Sequence, residues 1–279
     1  MKNCFVAPFA CIALVGLSAC GSSDGGGGGT AGSNGLDFGA VGQELSDAEG
    51  NAVTMSAGTF QVGSGPSISD ATITVDSGFF NGDLDGTIEI FGETVTITDG
   101  VGSLTTGEEV RLTYEDSRSG TYAAAVEASV SSLNDINGEG AYVFGFETNP
   151  TTVDARTGSL TYVGDFQATG SVGGSTTQTE YEGGLTVVVN FDSDEADFTF
   201  DGVLDGSTDV DLGGDGLDIV GNQISGDLGC DLGCSGSASE VDATFYGPDV
   251  DELGGVLIID VSVTGVGTYD GVGTFVITP

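Results

Sequence analysis

The chain has 279 residues, with 50 Gly, 43 acidic side chains, four basic ones, no His and no Trp, and a net charge of -39. Without imidazole there is no Ser-His-Asp triad, no His-ligated zinc and no His-ligated haem, and the charge repels nucleic acid and anionic membrane surfaces. A hydrophobic share of 38%, in short runs of Val, Ile, Leu, Phe and Tyr between Gly, Ser, Thr and Asp, excludes a disordered chain and reads as all-β.

Met1-Lys2-Asn3 is followed by an apolar stretch from Cys4 to about Leu17, too short to span a bilayer well. It ends in Leu17-Ser18-Ala19-Cys20, which resembles a bacterial lipobox. This predicts a signal peptide over 1–19, cleavage before Cys20 and lipidation of that cysteine. An ordinary signal peptide that happens to contain Cys is the alternative. The only lysine, Lys2, leaves with the leader, so no P-loop or Schiff-base lysine remains. In bacterial lipoproteins Gly rather than Asp after the Cys favours sorting to the outer membrane, and here the residue is Gly21. Residues 20–37 form a Gly-rich tether with a random-coil reach of roughly 20–25 Å. The anchor therefore implies a lipid bilayer as one partner. Display at the cell surface is expected, with the periplasmic face as the other possibility.

Residues 38–157 read as a β-rich N-terminal domain. Apolar runs at 71–75, 87–91, 94–98 and 141–146 predict strands. Asn81-Gly82, Asp85-Gly86, Asp99-Gly100 and Asn137-Gly138 predict turns with positive φ. Asn81, Asp83 and Asp85 occupy positions 1, 3 and 5 of a calcium-loop pattern, but position 12 is Gly92 where a bidentate Glu is expected. Residues 121–133 are rich in Ala, which favours helix, yet Tyr122, Ala124, Val126, Ala128 and Val130 alternate. A strand is expected there. A soft boundary falls near 147–158, after Asn149-Pro150.

Residues 158–279 hold enough strands for a small closed barrel, which removes sheet edges and fills its lumen with side chains. Leu185, Val187, Val189 and Phe191 share one face. A polar turn at 192–195 follows, and then Ala196, Phe198 and Phe200 share a face opposite Asp197, Thr199 and Asp201. Further strands are predicted at 159–166, 243–246, 256–263 and 274–278, and turns at Asp201-Gly202 and Asp205-Gly206. Gly213–Gly221, with Asp215 and Asp218, fits a single β-roll calcium nonapeptide whose neighbours do not fit. Acidic turns are the competing reading of both calcium patterns. Cys230 and Cys234 are the one Cys pair left in an exported, oxidising compartment, and a disulfide across a tight loop is expected.

Four stretches resemble one family: Gly158-Ser-Leu-Thr-Tyr-Val-Gly-Asp-Phe166, Leu185-Thr-Val-Val-Val-Asn-Phe191, Asn222-Gln-Ile-Ser-Gly226 and Ala243-Thr-Phe-Tyr-Gly-Pro-Asp-Val-Asp-Glu-Leu-Gly-Gly-Val256. In this order they are similar to the C-terminal barrel of transferrin-binding-protein-B-like lipoproteins. The resemblance implies an eight-stranded antiparallel barrel preceded by a smaller β-rich, handle-like domain. It implies structural roles for Phe245, Tyr246, Gly247, Pro248, Glu252, Gly254 and Gly255. Gly247-Pro248 is expected to turn the chain, and Gly254-Gly255 to bend it into the next strand. One barrel rather than two lobes makes transferrin itself a poor candidate ligand.

The expected function is a non-enzymatic, outer-membrane-anchored lipoprotein whose barrel binds a protein or small solute ligand at the cell surface, with nutrient or iron acquisition as the setting that the resemblance implies. The alternative is an acidic, calcium-binding structural envelope protein. A carbohydrate-active enzyme is a third reading, for which the absence of Trp platforms is unfavourable. No cofactor other than calcium is expected. The dispersed acids read either as solubility in a saline habitat or as a face for a basic partner.

Overall fold

The computed structural model describes residues 52–62, 64–75, 86–115, 120–132 and 135–279. The leader, Cys20, the tether and the calcium-pattern residues Asn81, Asp83 and Asp85 lie outside them. Among the described residues the chain forms two antiparallel sheets and one short helix.

The first sheet comprises β1 (Ala52–Gln61), β2 (Gly65–Val75), β3 (Gly86–Ile90), β4 (Glu93–Ile97), β5 (Val101–Ser103), β6 (Glu109–Tyr114), β7 (Ala123–Ser132) and β8 (Asp135–Gly145). Its order, β4-β3-β2-β1-β8-β7-β6-β5, brings the two end strands together. They are joined by the turn at Asp99-Gly100, where both residues have positive φ, and by a bridge between Thr98 and Val101. Ile88, Ile90, Val95, Ile97, Leu112, Val126 and Phe144 fill one face of this sheet. Ala123, Ala125, Ala141 and Val143 lie on the other. The alanines of β7 thus belong to a strand buried on both sides. A sheet squeezed between two packed layers needs small side chains, which overrides the helical preference of Ala.

Helix α1 (Pro150–Asp154) links the sheets. Asn149 caps it by accepting from the Thr151 N–H at 3.0 Å, and Pro150 opens the first turn, where its missing N–H costs nothing.

The second sheet comprises β9 (Ser159–Val172), β10 (Thr179–Asn190), β11 (Glu195–Leu204), β12 (Thr208–Val220), β13 (Gln223–Leu232), β14 (Cys234–Ser237), β15 (Ser239–Tyr246), β16 (Glu252–Val263) and β17 (Gly267–Ile277). Strands β9-β10-β11-β12-β13-β15-β16-β17 close into an eight-stranded barrel through the pairing of β17 with β9. β14 continues the line of β15 along β16 after a kink. Tyr162, Phe166, Tyr181, Phe198, Phe200, Phe245, Tyr269 and Phe275 are buried in the lumen, with the Phe166 ring tilted 4.9 Å from that of Tyr181 and edge-on 5.2 Å from that of Phe200. The hydroxyl of Tyr181 donates to the Val210 carbonyl at 2.8 Å and that of Tyr162 to the Val250 carbonyl at 2.7 Å, so these polar tips are satisfied. Val153 of α1 and Val250 join the same core from the loops, the latter with a φ of 54° that β-branched residues rarely adopt.

Two expected turns are not turns. Asn137-Gly138 lies inside β8 and Asp201-Gly202 inside β11. The glycines there supply space rather than positive φ. A Cβ on Gly202 would overlap the Tyr181 ring, and one on Gly138 would overlap the Phe91 ring. Gly254 and Gly255 both sit within β16. Gly255 leaves room for the Phe275 ring in the lumen, and Gly254 for Val143 and Tyr246 outside.

The outer face of β16 and β17 is apolar, and β1, β2 and β8 pack across it. Phe60, Ala123, Ala125, Ala141 and Val143 meet Tyr246, Val256, Ile258 and Val272 in one cluster. At one end of this seam Glu252, only 3% exposed, accepts from three consecutive backbone N–H groups, those of Thr121 at 2.5 Å and of Tyr122 and Ala123 at 2.9 Å. Burial raises its carboxyl, the three N–H partners lower it, and burial wins. Alongside, the linker pairs with the end of β15: Thr148 N–H donates to the Phe245 carbonyl and Gly247 N–H to the Phe146 carbonyl, both at 2.8 Å.

Two outcomes are expected in urea titration. Gly202→Ala should lose about 1–3 kcal/mol through overpacking against Tyr181. Glu252→Ala should lose about 3 kcal/mol by stranding buried N–H donors, and Glu252→Gln, which keeps one acceptor, should lose less.

Candidate functional site

The seam divides the barrel wall into two arcs. β16, β17 and Tyr246 of β15 are covered, and most outward side chains of β9 to β13, other than the buried Thr169 and Ser171, face solvent. Along the open arc the outward positions carry Asp165 and Gln167 on β9, Glu180 and Glu182 on β10, Asp197 and Asp201 on β11, Asp209 and Asp211 on β12 and Asp227 and Asp231 on β13. Alternation dictates this, because the inward positions of the same strands fill the lumen.

Register sets carboxylates opposite one another. Glu195 faces Asp218, Asp201 faces Asp211, and Asp260 faces Asp270. Like charges directly opposite destabilise a sheet. Burial raises the Asp211 carboxyl, with Asp201, Asp209 and Asp231 pushing it the same way, while a backbone N–H opposes them. Burial likewise raises Asp270, followed by the charge of Asp260.

A groove of about 510 Å³ crosses β9, β10 and β11, lined by Asp165, Gln167, Glu182, Gly183 and Val203. Gly183, which pairs with Phe166 and Gly202, leaves room for the Asp201–Gly202 backbone of β11 at the groove's floor. A hollow of about 250 Å³ continues it past Glu180 and Asp205, sharing Glu182 and Gly206. Neither Arg111, paired with Glu109 at 2.8 Å, nor Arg156, paired with Asp249 at 2.8 Å, lines it. The groove suits a cationic group such as a Lys or Arg side chain of a partner. None of its carboxylates stood out among 43 acids.

The remaining expected residues fall elsewhere. Cys230 and Cys234 are bonded, with S–S 2.11 Å, at the turn from β13 to β14. Asp215 and Asp218 are exposed on an irregular stretch of β12, where the Gly216 N–H donates to Asp197 Oδ1 at 2.7 Å. Among the described residues no group of three or more Asp, Glu, Cys or His is placed to hold a metal ion. Phe245 points into the lumen and Tyr246 into the seam, Gly247 turns the chain with φ 88°, and Pro248 is exposed beside it. Arg156 ties this turn down by donating to the Asp249 carbonyl while its guanidinium lies 5.9 Å from the Phe191 ring.

No family model matches the chain, and no curated protein does. Solved structures do. A double mutant of the vaccine antigen transferrin binding protein B from Haemophilus parasuis aligns with TM-score 0.49 and 17% identity, over 81% of this chain and 44% of that one. Isotype 1 transferrin binding protein B from serogroup B Neisseria meningitidis aligns with TM-score 0.42 and 15% identity, over 81% and 43%. The fold is similar to that of transferrin binding protein B. The chain spans less than half the length of these structures.

Relief of one like-charge contact should stabilise the wall. Asp211→Asn is expected to raise stability by about 0.5 kcal/mol at low salt. The gain should shrink in 1 M salt, where the Debye length falls to about 3 Å. Urea titrations at the two ionic strengths check both statements.

Proposed function

We propose that this chain is a non-enzymatic lipoprotein, anchored at the outer membrane through Cys20, that binds a protein ligand with the exposed arc of its barrel at the cell surface. The observation that carries the reading is the division of the barrel. Its lumen is filled by buried rings, so a solute has no room there, while the outer arc presents to solvent a groove and carboxylates that pair with neither described arginine. Recognition therefore falls to the outside, where a partner carrying Lys or Arg meets complementary charge.

Both solved structures named above carry transferrin in their names. We do not transfer that ligand to a chain spanning less than half of them. The chemistry of the chain fits binding, since it has neither His nor, after the leader, Lys to serve as base or nucleophile.

Protease added to intact cells should cleave the barrel while a periplasmic marker stays whole. Cys20→Ala should release the protein from membranes. Protection until lysis would remove the surface role, and membrane retention of Cys20→Ala would remove the anchor.

A further inference from the structure

The seam has a second end, opposite in character to the Glu252 end. Glu139 of β8 faces the barrel there, with its side chain 4% exposed and its Oε1 lacking any hydrogen-bond partner. Its cross-strand neighbours are Phe60 on β1 and Ser129 on β7. Glu127, two residues from Ser129, is therefore its diagonal neighbour on the same face, at a Cα separation on the order of 7 Å.

The contacts along the seam orient this end. Val143 packs at Gly254, beside Val276. Gly58, which pairs with Ala141, packs against Val272 and Ile258. The next step along β8, β17 and β16 leads to Glu139, Asp270 and Asp260. Asp270 pairs with Ser171, whose buried Oγ also lacks a partner. On the face of the first sheet that carries Glu139 the titratable neighbour is Glu127 from β7; Asp270 of β17 and Asp260 of β16 lie on the outer face of the barrel beyond Val272 and Ile258, Tyr269 is turned into the lumen, Asp70 of β2 lies farther along opposite Ser56, and the facing stretches of β1 and β9 bring none. All of the carboxyls have one sign. The two described arginines are engaged elsewhere, with Glu109 and Asp249.

A buried carboxyl with an oxygen that no donor reaches is disfavoured as the anion. It keeps its proton instead. We propose that Glu139 is a proton-operated latch between the N-terminal sheet and the barrel, which holds this end of the seam shut while protonated and loosens it on ionising, with Glu252 retaining the other end. A ligand that touches both the sheet and the barrel would then be held more tightly in acidic than in alkaline medium.

The sign follows from the two states. Burial, and then the charge of Glu127, push the Glu139 carboxyl up to about 8 from its ordinary 4.5. A carboxyl raised on closing contributes stability that is full below the ordinary value and is lost as pH rises to the raised one. The equilibrium constant for opening should therefore climb about tenfold per pH unit across that window and level off above it.

Hydrogen exchange on the full chain reads this directly, through peptides covering 137–145 and 268–276 at pH 6, 7, 8 and 9, corrected for the intrinsic exchange rate. The wild type should show the climb and the plateau. Glu139→Gln, which mimics the protonated group, should be flat and protected. Glu127→Gln should reach its plateau at lower pH, because a like charge has gone. A flat wild type, or a climb that survives in Glu139→Gln, overturns the proposal. So does full protection restored at pH 9 by millimolar calcium, which would assign the site to a metal ion.

Discussion

The architecture depends on one strand having two dry faces. In β16 the residues Leu253, Leu257, Ile259 and Val261 point into the lumen, and Val256 and Ile258 point out beneath the first sheet. Each large apolar side chain so buried contributes about 1.5–3 kcal/mol. Without the first sheet, Tyr246, Val256, Ile258 and Val272 would present a contiguous apolar patch to water, which a soluble surface does not tolerate. The sheet is therefore part of the barrel's own solution to burial. Apolar contact alone is non-directional, and Glu252 supplies the direction. Three adjacent N–H groups converge on one carboxylate only when β7 lies at a single position over β16.

Much of this was legible in the residues. The hairpin of β10 and β11 shows strict alternation, because one of its faces is wet, and the expected inward set Leu185, Val187, Val189, Ala196, Phe198 and Phe200 is the buried one. β16 reads as an apolar run from Leu253 to Ile259, which reports burial on both sides but not what covers the second side. That is why the seam went unread, and with it the role of Glu252, although Glu252 stood in the family motif. The glycine pairs misled for a definite reason. Asp-Gly marks a turn when φ is positive, as at Asp205-Gly206, but the same dipeptide at Asp201-Gly202 makes room for a ring from a neighbouring strand. No local pattern distinguishes the two, since the deciding atom lies on Tyr181, twenty or so residues away in sequence. The groove escaped for the opposite reason: its carboxylates were visible but indistinguishable from all the others.

The acidic arc is where local rules and global fold disagree. Asp201 opposite Asp211 and Glu195 opposite Asp218 are pairings that stability alone would not select. They lie on exposed positions of strands whose inward residues are well packed, so the core can sustain the repulsion. A requirement for solubility is met by dispersed charge and does not need carboxylates in register. A requirement for a concentrated negative field is met by that arrangement, because neighbouring strands stack the charges into a patch with a low-dielectric barrel behind it.

The seam treats its two buried carboxyls in opposite ways, and the difference is one of partners rather than of burial. Glu252 is given three N–H groups, so its charge is matched by dipoles fixed in the backbone. Glu139 has an oxygen with none and another carboxyl beside it, so burial favours its protonated form. Glu139 could have been replaced by an apolar residue at little cost to a seam already made of Val, Ile, Ala and Phe, whereas an apolar residue at Glu252 would strand three backbone N–H groups. An interface built this way is anchored at one end by geometry and governed at the other by the medium. That places the adjustable contact of the molecule between the two sheets, away from the closed barrel, whose packed lumen leaves it no second arrangement to adopt.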